Sequence, residues 1–313
     1  MSRSYAILGT GALGGYYGGQ LAKSGQTVHF LLNSDAEHVQ QHGLRVETPE
    51  GEYTLTPGGG TAQFHGDIAD VPPCDVVCVC LKTTHNHLLP DLLPDKLKPG
   101  GVVLVLQNGL HPERDAAEVV GEANVAGGLC FLCSNKVGPG HIKYLDYGFI
   151  KLGAHPRNPS TAFMDLLAGI ADDFNAAGVK CDVVDDLVLA RWQKLVWNIP
   201  YNGLSVVLNM TTDQMMADPE VRERVVGLMH EVAAAAKAVD GKVIDDAFIQ
   251  QMLDNTAKME PYKTSMMLDY EAGREMEIEH IVGHAVAGGK ASGLTLKMMS
   301  SILTELSVTQ RKN

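Results

Sequence analysis

A short strand-like stretch, Ser4–Leu8, runs straight into Gly9-Thr10-Gly11-Ala12-Leu13-Gly14, and helical spacing of apolar residues follows at once over Ala12–Lys23. This strand, glycine loop and helix constrain the fold more than any other part of the chain. Gly9 permits a tight turn, Gly11 lets backbone N–H groups approach a ligand, and Gly14 lets helix and strand pack closely. The N-terminus of the helix then favours an anion, through its unsatisfied N–H groups and its dipole. Gly9, Thr10, Gly11, Ala12, Leu13 and Gly14 are therefore the candidate cradle for the pyrophosphate of a dinucleotide.

The pattern that follows agrees with that start. Thr27–Leu32, Asp75–Leu81, Val102–Leu106, Asn124–Cys130 and Lys180–Val184 read as further strands, and Pro112–Val120 and Ser160–Ala177 as helices. Leu44–Thr56 reads as a hairpin about Glu50-Gly51-Glu52, and Ile142–Leu152 as another, broken at Asp146-Tyr147-Gly148. Beyond about residue 184 the strand pattern stops. Asp186–Val207, Pro219–Asp240, Asp245–Ala257, Ile278–Gly288 and Thr295–Thr309 carry helical spacing, and Thr211–Met215 with Asp218-Pro219 reads as a helix–helix connection. The expectation is an α/β protein: a Rossmann-type, doubly wound, mostly parallel sheet over residues 1–184, and an all-helical domain over 185–313 that binds substrate in a cleft between the two.

Charge and composition limit the partners. Twenty-five Lys and Arg against 37 Asp and Glu give a net charge of −12, which argues against nucleic acid or an anionic membrane as the main partner. The longest clean apolar runs, such as Val76–Leu81, fall far short of the roughly 18 residues of a membrane span, and no secretory signal is evident at the N-terminus. A cytoplasmic location is expected. Six cysteines are too sparse for a disulfide framework, so reduced thiols are expected.

At the end of the second strand an acid would mark a ribose 2′-hydroxyl and an arginine a 2′-phosphate. The chain has Asn33 there, which can bond either group, so NAD and NADP stay open on this criterion. Asp35, two residues on, either caps the next helix or repels a phosphate. In the second half, Lys194, Asn198 and Asn202 stand at i, i+4 and i+8, on one helix face flanked by Trp192, Val196 and Trp197. A lysine ammonium, with an ordinary pKa near ~10.4, is protonated at neutral pH and suited to donating a proton to a carbonyl oxygen as hydride arrives. Spacing alone is equally compatible with a solvated face.

Taken with Gly9–Gly14, the stretch Trp192–Asn202, Cys80-Leu81-Lys82-Thr83, Gln107-Asn108-Gly109, Thr264–Asp269 and Glu277-Ile278-Glu279 resemble the ketopantoate reductase (2-dehydropantoate 2-reductase) family along nearly the whole chain. The resemblance implies NAD(P)H-dependent reduction of 2-dehydropantoate to pantoate, a step of pantothenate biosynthesis, with NADP as the cofactor. It makes Lys194 the general acid, with Asn198, Asn202 and Ser265 holding the substrate alongside it. Asn33, Lys82, Asn108 and Glu277 join the glycine loop at the cofactor. Asn33 departs from the family's usual arginine, Thr212 stands where a substrate-side asparagine is expected, and Pro200 interrupts the catalytic helix, where a kink is expected.

A reductase of another 2-oxo acid is the alternative. A non-catalytic nucleotide sensor would have no need to keep Lys194, Asn198, Asn202 and Ser265 together. Cys130-x-x-Cys133, His85-x-His87 and His280-x-x-x-His284 lack the context of metal or redox sites, so no metal is expected. Methionine-rich faces such as Met266-Met267 and Met298-Met299 suit core filling, and faces of that kind in the helical half suggest a homodimer.

Overall fold

Tyr5, Ala6, Ile7 and Leu8 have no exposed surface, and neither do Val76–Val79 or Val102–Val105. Strands buried on both faces belong in the middle of a parallel sheet covered by helices, and that is where these three lie. The computed structural model describes residues 2–312. Its first elements are β1 (Ser4–Leu8), α1 (Ala12–Lys23), β2 (Thr27–Leu31), α2 (Ala36–His42), β3 (Leu44–Thr48), β4 (Gly51–Leu55), β5 (Ala62–His65) and β6 (Cys74–Val79). There follow α3 (Leu89–Leu92), β7 (Leu97–Val105), α4 (Glu113–Val120), β8 (Val125–Gly138), β9 (His141–Ala154), α5 (Thr161–Ala176) and β10 (Cys181–Val183).

The sheet order is β4-β3-β9-β8-β7-β6-β1-β2-β5, with β10 on β9. From β5 through β8 every pair is parallel, and the order reverses direction between β1 and β6, the switch point of a dinucleotide-binding sheet. Tyr5 and Ile7 face a core built with α1 and α5, while Ala6 and Leu8 face a second core built with α3 and α4.

Two strand expectations need correction. Asn124–Cys130 continues as β8 to Gly138, and Ile142–Leu152 is not a hairpin: it lies within one strand, β9, antiparallel to β8. Asp146-Tyr147-Gly148 does supply the left-handed backbone of a turn, with φ of 64° at Tyr147 and 95° at Gly148. Phe131 pairs with Phe149 and Leu132 with Tyr147, so Gly148 is the extra residue of a bulge and β8 continues past it. The other excursion is a hairpin, β3 with β4.

The chain divides into two compact units. Residues through Gln107 with Pro112–Leu187 form the first, and Asn108–His111 with the chain from Val188 onward form the second. The helices after the sheet are α6 (Leu187–Leu208), α7 (Thr212–Ala217), α8 (Pro219–Asp240), α9 (Asp246–Thr256), α10 (Ser265–Glu271), α11 (His284–Ala291) and α12 (Lys297–Gln310), with a π-helical turn at Glu279–Gly283 leading into α11. The residues read as a connection at Thr211–Met215 mostly form α7.

Trp192, Leu195, Val196, Ile199 and Leu204 of α6 are buried against Val225, Leu228 and Val232 of α8 and Ile302 and Leu306 of α12. Pro200 does not end α6, although its missing N–H leaves the Val196 carbonyl without its helical partner. Asp218 caps α8 through the Glu220 and Val221 amides, with Pro219 in the first turn. Met266, Met267 and Met299 fill the core, and all six cysteines are free thiols. Among the described residues no helix is long and apolar enough to cross a membrane.

Candidate active site

In the first unit the glycine loop is shaped by what its glycines exclude. Gly9 has φ of 101°, and a Cβ there would lie 2.7 Å from the Leu81 amide nitrogen. A Cβ on Gly14 would lie 2.3 Å from the Gly9 carbonyl oxygen and 2.8 Å from Ile7 Cγ2, so α1 sits too close to β1 for any side chain. At Gly11 a Cβ would meet nothing within 4 Å, so the loop opens on that side onto free space. Gly11 is also the N-cap of α1, without a side-chain cap and with no acid in the first turn. The amides at this helix start therefore remain available to an anion, and the loop fits a dinucleotide's pyrophosphate. Thr10 Oγ1 donates to the Leu31 carbonyl at 2.9 Å, tying the loop to the end of β2.

Asn33 and Ser34 are exposed beyond β2. Asp35 stands at the N-cap position of α2, but its side chain is turned elsewhere. It is 5% exposed, makes no side-chain cap to α2, and its carboxylate accepts from the Gly140 amide at 3.0 Å and pairs with Lys136 Nζ at 2.7 Å. Burial alone would push this carboxyl up, but the hydrogen bonds from Lys136 and Gly140 and the lysine's charge outweigh it and hold the pKa below its ordinary value.

Lys82 follows β6 half-buried, with Nζ shielded from solvent. The strand end that carries it is pinned by Gln107, whose Nε2 donates to the Leu81 carbonyl at 2.9 Å and to Asn86 Oδ1 at 2.6 Å. Asn86 in turn donates to Asp115 at 2.5 Å.

The second unit holds the other candidates. Lys194 Nζ donates to Asn108 Oδ1 at 2.8 Å, and Asn198 and Asn202 follow along α6, 7% and 2% exposed. Asn202 Oδ1 accepts the Met266 amide at 3.3 Å, which ties α6 to the start of α10. Ser265, the first residue of α10, is exposed beside that contact. Thr264 caps α10 and meets Ser205 Oγ at 2.7 Å. Glu277 is buried just ahead of the π-helical turn. Thr212 donates its amide to the Tyr262 carbonyl, but its fully buried Oγ1 has no hydrogen-bond partner among the described residues.

Asn108 reaches Lys194 because the segment Asn108–His111 is clamped at both ends. Leu110 donates its amide to the His280 carbonyl at 2.8 Å, and a Cβ on Gly109 would lie 2.6 Å from that same oxygen. His284 Nδ1 donates to the Leu110 carbonyl at 3.1 Å. His111 has φ of 57°, a strained value for a residue with a side chain, and its Nε2 is 3.1 Å from Asp240 Oδ2. The same carboxylate oxygen accepts from Trp192 Nε1 at 2.7 Å. The π-helical turn that receives this segment is a departure often found at functional sites.

Known proteins match this arrangement from end to end. Residues 5–157 match the family model described as Ketopantoate reductase PanE/ApbA, and residues 186–310 the model of its C-terminal part. The chain belongs to the ketopantoate reductase family. It is 51% identical to a 2-dehydropantoate 2-reductase of Nostoc sp., over 99% of this chain and 96% of that one. It is 37% identical to a 2-dehydropantoate 2-reductase of Geobacter metallireducens whose crystal structure it matches with a TM-score of 0.91, covering 97% and 99% of the two chains. D-mandelate dehydrogenase with NADH and anilino(oxo)acetate shares the fold, at 20% identity and a TM-score of 0.86 over 99% of each chain.

For a ketopantoate reductase the sequence-predicted residues fall into two groups. Gly9–Gly14, Asn33 and Lys82 lie in the first unit, and Lys194, Asn198, Asn202, Ser265, Asn108 and Glu277 in the second. Sequence reasoning missed the clamp of His111, Asp240 and Trp192 and the support of Asn86 and Asp115. No local signal marked them, because the left-handed backbone of His111 is set by the fold and its partner lies far along the chain. Among the described residues no group of three or more His, Cys, Asp or Glu is arranged to hold a metal ion.

Proposed function

We propose that the chain is a 2-dehydropantoate 2-reductase that reduces its substrate to pantoate with NADPH. The observation that carries this reading is the Lys194 ammonium held by Asn108 at 2.8 Å, on the helix face that also bears Asn198 and Asn202. In this reading residues 1–184 serve the dinucleotide and 185–313 the substrate, except that Asn108 works with the second group and Glu277 reaches the cofactor. Gly9–Gly14 takes the pyrophosphate, Asn33 lies at the adenosine ribose, Lys82 lends local positive charge, and Asn108 and Glu277 approach the nicotinamide riboside.

When bound, the reduced nicotinamide supplies the hydride to C2 of the oxo acid. Lys194 gives its proton to the oxygen on that carbon. Asn108 aims the ammonium without removing its proton, because an amide oxygen accepts a hydrogen bond but is too weak a base to take a proton. Asn198 and Asn202 hold the substrate's hydroxyl and carbonyl oxygens, and Ser265 its carboxylate. Since Asn202 already receives the Met266 amide, the asparagine and the serine are positioned together. A chain of net charge −12 must bind two anions in this way, so the work falls on a helix N-terminus and a few lysines.

Replacing Lys194 with Ala tests the reading. Turnover of 2-dehydropantoate should fall by roughly 10²–10⁴-fold while dinucleotide binding survives. Near-normal turnover would sink it. Lys194→Arg should fail as well, since a guanidinium is too weak an acid.

One observation favours a second reading, a reductase of another 2-oxo acid: the buried, unpartnered Thr212 hydroxyl stands where the family resemblance calls for an asparagine. Initial rates over a panel of 2-oxo acids with NADPH and NADH separate the two. A cytoplasmic enzyme and a homodimer belong to the same proposal, and light scattering would report the dimer as twice the chain mass. Met266, Met267 and Met299, being core residues, contribute nothing to its interface.

A further inference from the structure

The choice between NADPH and NADH is made where the second strand ends, and there Asn33 is neutral. The nearest acids are Asp35 and Glu37. Glu37 is exposed in the first turn of α2, with the Gln41 amide 3.5 Å away. Asp35 is the acid whose charge would matter most, and it is turned inward onto the β8–β9 hairpin, against Lys136 and the Gly140 amide. Both contacts fall on Oδ2, and beside an ammonium the buried carboxylate presents little net negative charge to a phosphate.

Lys136 itself is placed to do more. It projects from the far half of β8. Its strand neighbour Ser134 has Oγ 3.5 Å from the Ala12 carbonyl, so this part of the hairpin runs beside the glycine loop. Of the three donors on its ammonium one goes to Asp35, and the side chain keeps 31% of its surface exposed. On β9, Lys143 and His141 both lie against Glu47, at 2.8 and 3.2 Å. His38 borders the same turn, its ring 3.2 Å from where a Gly140 Cβ would stand.

We propose that the Asp35–Lys136 pair sets the preference for the 2′ group of the cofactor: Asp35 orients Lys136 and its charge is offset by it, and the remaining N–H donors of the Lys136 ammonium serve a 2′-phosphate where Asn33 offers no charged donor. This rests on the reading of the first unit as a dinucleotide site.

The test is direct binding to the purified full chain, by calorimetry, of NADPH, NADH, 2′,5′-ADP and 5′-AMP. Lys136→Met keeps the aliphatic stem and removes the charge. It should weaken NADPH and 2′,5′-ADP about tenfold and move NADH and 5′-AMP less than about twofold. Asp35→Asn keeps an acceptor for both Gly140 and Lys136 but removes the negative charge that offsets the ammonium, so it should shift the NADPH-to-NADH affinity ratio the other way, by a few-fold. Lys136→Arg should retain the preference of the unmodified chain. If both dinucleotides bind and neither Lys136→Met nor Asp35→Asn moves their ratio, or if Lys136→Met weakens all four probes equally, the proposal is overturned while the dinucleotide site stands. If the unmodified chain binds neither dinucleotide, both fall.

Discussion

The glycine loop and the Lys194 face are built by opposite means. The loop works through missing side chains: a Cβ on Gly9 or Gly14 would strike backbone, and the space above Gly11 is left clear. The Lys194 face works through side chains held by other side chains, from Asp240 through His111 and its segment to Asn108 and so to the lysine. A site of the first kind fails when something is added, and one of the second kind when something is taken away.

That contrast orders the outcomes of substitution. Lys194→Ala, with the largest expected effect, should abolish most turnover and leave dinucleotide affinity alone. Asp240→Ala comes next. It strands the Trp192 indole N–H in a buried setting, at about 1–3 kcal/mol for the unmet donor, and takes the carboxylate away from the His111 ring. Chemical denaturation should report that loss, and kcat should fall more than the KM for the dinucleotide rises, because Asn108 loses its anchor. Equal damage to both parameters would break the comparison.

Gly14→Ala should cost about 1–3 kcal/mol by overpacking and lose dinucleotide binding with it. Gly11→Ala has the smallest expected effect on the fold, within about 0.5 kcal/mol, since its Cβ meets nothing. Its dinucleotide affinity should still drop about tenfold, because the methyl group enters the space the pyrophosphate needs. A Gly11→Ala protein with unchanged affinity would show that the open side of the loop is not where the ligand lies.

The same contrast explains what could be read beforehand. Strands such as Val76–Val79 declare themselves because burial on both faces demands continuous apolar residues, and the loop declares itself because Gly9 and Gly14 leave no room for a side chain. Lys194, Asn198 and Asn202 could be placed on one face by spacing alone, but their company could not. Asn108 lies 86 residues before Lys194, and His111 lies 129 before Asp240. Asp35 shows the limit most clearly. Locally it reads as a helix cap, and its fate is decided by an amide 105 residues further on. Tyr147-Gly148 was misread because a left-handed pair serves a bulge as well as a turn, and only the length of the partner strand distinguishes them.

The borrowing of Asn108–His111 by the second unit has a consequence for synthesis. A ribosome releases this segment long before the helices that receive it. At roughly 5–20 residues per second, Lys194 follows Asn108 by about 4–17 s, and α11 comes later still. Throughout that interval the nascent first unit must carry four residues that have no place in it, with His111 not yet held in its unfavourable backbone geometry. A fragment begun at Val188 would contain α7 through α12 and the proposed proton donor, yet be born without the residue that aims it.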